Sequence, residues 1–173
     1  MKALFSVLIT IGLFLLARPK LIERAQGDAA ALEPTCTIAR IVDGDTVDCV
    51  ESDENARLLL IDAPEMTQGE YGARARDALA SLAPVGTVTR VEVDLDPRDQ
   101  YGRDLVYLYL PDGRMVNEEM ARLGFVVVLT YAPNVRHVDR IRAAQEEARR
   151  SGRGLWSGSA FECAPVDYRA DRC

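Results

Sequence analysis

Residues 57–65 read RLLLIDAPE, a continuous apolar run that begins with a cation and ends in two carboxylates. An apolar run of this length is typical of a buried β-strand. Pro64 ends the strand, because proline cannot donate a hydrogen bond to a β-ladder. Arg57 needs a partner if it is buried, since an unpaired charge in a protein interior is very costly. The stretch therefore predicts a core strand with charged groups at both ends.

The sequence on either side of this strand alternates between strand and helix patterns. Further strands are predicted at 37–42, 46–50, 87–95, 105–110 and, as a short one, 126–129. Apolar spacing predicts helices over 71–82, 116–123 and 135–150, the second ended by Gly124. The segment after Trp156 has no clear periodicity. This order of elements predicts an α+β fold, with a small closed five-stranded β-barrel and about three helices.

The charge of the chain argues against a protein that holds nucleic acid by bulk electrostatics. From Cys36 onward there are 17 arginines against 24 aspartates and glutamates, a net charge of −7. A domain that binds nucleic acid through its overall charge should be basic instead. Any such binding must come from a local cluster of cations or through a metal ion.

The N-terminus carries an apolar run at residues 3–17, behind Met1 and Lys2. Its length suits the core of a signal peptide and is short for a membrane span. We therefore divide the chain into a signal or anchor segment with linker (1–35), a folded domain (36–157) and a C-terminal tail (158–173) that a disulfide could tether. We expect an exported domain, periplasmic or extracellular, or one anchored through residues 3–17. The basic residues that follow the run leave a cytoplasmic orientation as the alternative.

Four cysteines lie beyond this segment: Cys36, Cys49, Cys163 and Cys173. An even number after an export signal predicts up to two disulfides, and several pairings are possible. A Cys36–Cys163 bridge would join the two ends of the domain, and Cys49 could equally be a buried free thiol. No spacing matches a zinc site, and the single histidine, His137, is expected on the solvated face of the last helix.

Three short segments place charged groups at strand ends: DGDT at 43–46, RLLLIDAPE, and YGR at 101–103. Asp45 and Asp62 offer the hard oxygen ligands that Ca²⁺ or Mg²⁺ prefers. A bound cation would polarise a phosphoryl oxygen, and Glu65 nearby could take a proton from the attacking water. Arg57 and Arg103 could stabilise the negative charge that develops on the phosphate. Together the segments supply what metal-assisted phosphodiester hydrolysis requires.

The same segments, followed by MVNEEMARLGF (115–125) and GLW (154–156), occur in an order that resembles the staphylococcal nuclease family. The resemblance covers Cys36 to about Trp156. It implies an OB-type five-stranded barrel and a calcium-dependent endonuclease that cuts DNA and RNA to 3′-phosphate products. The resemblance makes calcium ligands of Asp45, Asp62 and the backbone carbonyl of Ala63. It also makes Glu65 the general base and Arg57 and Arg103 the phosphate-binding arginines, with Tyr101 and Tyr131 against the substrate.

Other positions depart from the family pattern. The stretch 66–72 (MTQGEYG) is short and has no lysine, and Leu129 stands in place of a second aromatic residue. These departures bear on substrate affinity more than on chemistry. The alternative function is a non-catalytic OB-type module that binds nucleic acid or protein. Such a module should have lost some of the charged site residues, but all five are present: Asp45, Arg57, Asp62, Glu65 and Arg103. We expect a monomeric enzyme.

Overall fold

The computed structural model describes residues 34–173. Its strands are β1 (Thr35–Ile41), β2 (Thr46–Cys49), β3 (Asn55–Leu58), β4 (Ile61–Asp62), β5 (Val88–Glu92), β6 (Asp104–Tyr109) and β7 (Val127–Val128). Its helices are α1 (Glu70–Leu82), α2 (Val116–Leu123), α3 (Val138–Arg150) and α4 (Pro165–Arg169), with a 3₁₀ turn at Gly154–Ser157. None of the helices from residue 34 onward is both long and apolar enough to cross a membrane. The predicted signal or anchor run at 3–17 lies outside the described residues.

Five of the strands close into a barrel in the order β1-β2-β3-β6-β5. Strands β3 and β6 pair in parallel, whereas the other neighbouring strands of the barrel are antiparallel. Closure leaves the barrel without an open edge. The predicted α+β fold with a five-stranded barrel is confirmed, and residues 34–173 add a fourth α-helix in the tail.

The sequence pattern predicted one continuous strand over RLLLI, but the structure divides this stretch between two strands. Strand β3 ends at Leu58, the chain turns at Leu60 with a positive φ of 66°, and β4 pairs with β7 outside the barrel. The buried side chain of Asn117 stabilises this turn, because its Nδ2 donates to the carbonyls of Leu59 (3.0 Å) and Val106 (3.1 Å). The turn redirects the chain so that β4 delivers Asp62 to one end of the barrel.

The helices pack their apolar faces against the barrel and against one another. The largest fully buried side chains include Ile38, Leu58, Leu79, Tyr107, Met120 and Ile141. Helix α2 matches its predicted bounds and ends at Gly124, which has a φ of 81°. A Cβ at this glycine would lie 2.3 Å from the Arg153 carbonyl oxygen, so the close approach of the two segments requires glycine. Helix α3 begins at Val138, later than predicted, because the chain makes a turn from Val135 to Val138.

Two disulfides form, Cys36–Cys49 and Cys163–Cys173. The sequence left the pairing open; the Cys36–Cys163 bridge that it allowed does not form, and Cys49 is not a free thiol. Cys36 and Cys49 lie on the antiparallel neighbours β1 and β2, which place their Cα atoms 5.0 Å apart. The second disulfide closes the C-terminal tail on itself rather than tethering it to the barrel.

The expectation that His137 is solvated is also wrong. Its ring packs edge-on against Tyr107, with centroids 4.6 Å apart, and its Nε2 lies 2.9 Å from Glu92 Oε1. Tyr109 Oη donates to the other oxygen of Glu92 at 2.8 Å. His137 precedes the first turn of α3 and so faces the barrel wall rather than solvent. The side chains of Glu92, Tyr107, Tyr109 and His137 thus connect β5, β6 and the start of α3.

Candidate active site

A pocket of about 860 Å³ opens beside the β1–β2 turn, the β4 exit and the loop before β6. All eight residues that the sequence singled out line it: Asp45, Arg57, Asp62, Ala63, Glu65, Tyr101, Arg103 and Tyr131. The fold therefore brings the three charged segments to a single cavity. The pocket wall also contains Asp43 and Arg169, which the sequence analysis did not select as site residues.

Asp45 lies at the tip of the DGDT turn and is fixed by hydrogen bonds on both sides. Its amide donates to Asp43 Oδ1 at 2.9 Å, and its own Oδ2 accepts from the amide of Ala63 at 2.7 Å. A Cβ at Gly44 would lie 2.6 Å from Ala63 Cβ and 2.7 Å from Ala75 Cβ on α1. Glycine at this position lets the turn pack closely against β4 and α1, which holds the Asp45 carboxylate at the pocket.

Arg57 bridges the two predicted ligand carboxylates. Its Nε lies 3.1 Å from Asp45 Oδ1, its Nη2 lies 3.2 Å from Asp62 Oδ1, and its Nη1 donates to the carbonyl of Leu58 at 2.6 Å. Only 12% of its side-chain surface is exposed. Asp45 and Asp62 together thus supply the negative charge that a buried arginine requires.

The carboxylates at this end of the barrel crowd one another. Burial raises the pKa of Asp43 to about 6, and the neighbouring charge of Asp45 adds to the effect. Burial also raises the pKa of Asp62, against hydrogen bonds from Arg169 that lower it. Close carboxylates with raised pKa values are stabilised in their ionised form by an additional cation.

The donor set of the pocket fits a hard divalent cation that keeps part of its water shell. Asp45 and Asp62 present oxygen atoms only, which Ca²⁺ and Mg²⁺ accept and zinc does not favour. From residue 34 onward, no three His, Cys, Asp or Glu side chains form a closed metal cage. Two carboxylates suit an open site in which water and substrate oxygens complete the coordination.

Glu65 lies on the loop after β4, and the start of α1 positions it. Its amide donates to Gln68 Oε1 at 2.8 Å. A Cβ at Gly72 would lie 2.3 Å from the Glu65 carbonyl oxygen, so the first turn of α1 packs directly on this backbone. The Glu65 side chain is about one-third exposed and faces the pocket beside Asp62.

The loop before β6 forms the other wall. Asp99 organises it, because its Oδ1 accepts from the amides of Tyr101 (2.9 Å) and Arg103 (3.1 Å). Arg103 forms its ion pair with Asp99, at 2.6 Å, and not with the aspartates near Arg57. The rings of Tyr101 and Tyr131 are exposed by 74% and 66%. The structure therefore brings Arg103 and both tyrosines to the pocket, on the wall opposite Asp45 and Asp62 and without an ion pair between Arg103 and either aspartate.

Arg169 is a site residue that sequence reasoning missed. It lies on α4, and its Nη1 and Nη2 donate to the two oxygens of Asp62 at 3.1 and 3.0 Å. Its Nη1 also donates to Glu65 Oε1 at 2.6 Å. The tail has no periodicity that would place it, and no other signal in the sequence connects residue 169 to Asp62.

Comparison with known protein families supports the resemblance that the sequence motifs indicate. The family model "Staphylococcal nuclease homologue" matches residues 55–158, a range that includes Arg57, Asp62, Glu65 and Arg103. Asp45 precedes the matched range and the tail with Arg169 follows it.

Similar individual proteins are also found. The chain is 32% identical to the thermonuclease of Staphylococcus hyicus, over 78% of this chain and 82% of that protein. It is 41% identical to an uncharacterized endonuclease of Escherichia coli, over 69% of this chain and 75% of that protein. It is 33% identical to the endonuclease YncB of Bacillus subtilis, over 72% of this chain and 63% of that protein. With the barrel, the pocket and these matches together, the chain belongs to the staphylococcal nuclease homologue family.

Proposed function

We propose that this chain is a calcium-dependent endonuclease that hydrolyses DNA and RNA to products with 3′-phosphate ends. The observation that carries the proposal is the pairing of Asp45 and Asp62 across Arg57, in the same pocket as Glu65. The nuclease names of its relatives support the reaction class.

Asp45, Asp62 and the carbonyl of Ala63 would hold the calcium ion. When bound, this ion supplies Lewis-acid polarisation of a phosphoryl oxygen. Asp45 is fixed by the Ala63 amide and Asp62 is fully buried, so both carboxylates are held in place before a ligand arrives. Preorganisation of this kind lowers the cost of binding.

Glu65 is the general base in this proposal. It stands next to Asp62 on the solvent side of the pocket, where a water molecule can reach it. Proton abstraction by a positioned carboxylate contributes about 10²–10⁴-fold to such a reaction. The base needs no metal contact of its own to do this.

Arg57 and Arg103 would hold the phosphate from two sides. Arg57 is buried and rigid, whereas Arg103 is attached to Asp99 through Nε and keeps its terminal N–H groups for a phosphate oxygen. The exposed rings of Tyr101 and Tyr131 give nucleobases a surface for stacking. The substrate therefore lies across the pocket mouth rather than inside a closed cavity.

We further propose that the protein works outside the cytoplasm as a monomer. Both disulfides in the described chain are typical of proteins that fold in an oxidising compartment. The apolar run at 3–17 would direct export or anchor the chain.

Digestion of denatured DNA by the full-length protein, with calcium and with chelator, tests the proposal. We expect calcium-dependent cleavage whose products need phosphatase treatment before 3′ extension. Products with free 3′-hydroxyls would contradict the proposed chemistry. Tight binding of DNA without cleavage, at saturating calcium, would favour the non-catalytic binding module.

A further inference from the structure

The C-terminal loop, residues 163–173, is docked on the segment that carries Glu65. The Cys163–Cys173 disulfide closes this loop, and α4 lies within it. Gln68 Nε2 donates to the carbonyl of Cys163 at 3.3 Å, and Tyr168 Oη donates to the carbonyl of Thr67 at 3.0 Å. These contacts fix α4 beside the pocket.

From this position Arg169 donates hydrogen bonds to both carboxylate oxygens of Asp62. Asp62 Oδ1 accepts from both Arg57 (3.2 Å) and Arg169 (3.1 Å), and its Oδ2 accepts from Arg169 (3.0 Å). The same guanidinium also pairs with Glu65. A planar arginine fork on a carboxylate is among the stronger charge-assisted contacts in proteins.

We propose that Arg169 is a tethered competitor for the divalent cation, and that the C-terminal loop holds it on Asp62 and Glu65. The inference rests on the proposed metal role of Asp45 and Asp62. A dication on Asp62 would sit within a few ångströms of the guanidinium, and like charges at that distance repel strongly in a partly buried site. Arg57 reaches only Oδ1 of Asp62, whereas Arg169 also occupies Oδ2. A cation that binds through Oδ2 must therefore displace Arg169, which makes the metal affinity of the enzyme depend on the C-terminal loop.

A substrate-binding role for Arg169 is the competing explanation. The contacts favour competition with the cation, because Arg169 Nη1 and Nη2 donate to the carboxylates of Asp62 and Glu65. Arg103, by contrast, lines the pocket and donates from Nε to Asp99 rather than to the predicted metal ligands.

Calcium titration by calorimetry on the full-length protein separates the two explanations. Arg169→Ala should tighten calcium binding by about tenfold or more, because the repelling charge and its contacts are removed together. Arg172→Ala is the matched control: this arginine lies in the same loop but pairs with Asp167 (2.6 Å), so its removal should leave the affinity unchanged.

The tether is tested by a double variant, Cys163→Ser with Cys173→Ser. Opening the loop lets Arg169 leave the carboxylates, so calcium should bind more tightly than in the unaltered protein but less tightly than in Arg169→Ala. Arg169→Lys keeps the charge without the fork and should also fall between them.

Unchanged or weaker calcium binding in Arg169→Ala would overturn the inference. If that variant also lost cleavage rate at saturating calcium, Arg169 would be a substrate-binding residue instead. If no variant bound calcium, both this inference and the proposed metal dependence would fail. Calcium binding with equal affinity in every variant would remove only the inference.

Discussion

At the scale of single residues, the site depends on a few charges whose partners lie far apart in the chain. Arg57 is held between Asp45 and Asp62, and Glu65 approaches from the next loop. Such groups stabilise one another only as a set, because loss of one member leaves a buried charge unpaired. Substitutions that preserve shape are therefore the informative ones.

Glu65→Gln should lower the cleavage rate by about 10²–10⁴-fold, because glutamine cannot accept the proton of the attacking water. Calcium affinity should change much less, since Asp45 and Asp62 remain. The rate is measured on denatured DNA at saturating calcium, with Glu70→Gln in the exposed first turn of α1 as control. An equal loss in both variants would argue against a base at position 65.

Glu92 makes a pH-dependent contribution to stability that is separate from the site. Burial opposes its ionisation, but hydrogen bonds from His137, Tyr109 and Arg136 outweigh burial and lower the pKa of Glu92 to about 2. A carboxylate with a lowered pKa in the folded state stabilises the fold above its unfolded pKa. That stability is lost as the pH falls from 4.5 to about 2.

Urea unfolding of Glu92→Gln tests this contribution. Near neutral pH the variant should be less stable by about 1–2 kcal/mol, an amount reduced by partial solvent screening. Near the folded pKa the difference should vanish. A difference that stays constant across this range would show that packing, and not charge, is responsible.

At the scale of elements, the two disulfides have different tasks. Cys36–Cys49 joins neighbouring strands of the barrel, and both sulfurs are buried in the core. Cys163–Cys173 closes a loop outside the barrel that contacts the segment after β4. The first constrains the fold, whereas the second constrains the position of α4.

Replacement of Cys36 and Cys49 by alanine should lower the free energy of unfolding by about 2–4 kcal/mol, because the unfolded chain regains loop freedom. The Cys163→Ser and Cys173→Ser pair should change global unfolding much less, since that loop contributes no strand to the barrel. Both are measured by urea denaturation of the oxidised protein. A larger effect from the C-terminal pair would mean that the tail is part of the cooperative core.

At the scale of the whole molecule, an acidic protein has to attract a polyanion. The chain has a formal net charge of −6, and four arginines line the pocket. All four, Arg57, Arg98, Arg103 and Arg169, are already paired with carboxylates. Substrate attraction must therefore be local and weak.

The salt dependence of cleavage should be shallow for this reason. Each phosphate neutralised on single-stranded DNA contributes about −0.7 to the slope of log affinity against log salt, so four arginines allow a slope no steeper than about −3. The slope is obtained from KM on denatured DNA at increasing sodium chloride and constant calcium. A slope twice as steep would reveal a basic surface beyond the pocket.

Sequence patterns alone predicted the barrel and the helices that pack on it, and the eight residues selected from the sequence line one pocket. They could do so because apolar periodicity and turn residues are local signals, and because the order DGDT, RLLLIDAPE and YGR is specific as a combination. Even the bounds of α2 follow from its pattern, because Gly124 ends the helix with a φ of 81°, a backbone conformation that favours glycine.

Four features could not be predicted from local patterns: the turn at Leu60, the disulfide pairing, the partners of His137 and the contact of Arg169 with Asp62. Each of these depends on groups that are distant in sequence: Asn117 stabilises the Leu59 carbonyl, and α4 reaches a residue 107 positions earlier. Pairing of β1 with β2 likewise selected Cys49 as the partner of Cys36. Local sequence patterns do not predict such contacts. The free energy that favours them comes from packing, which exists only in the folded chain.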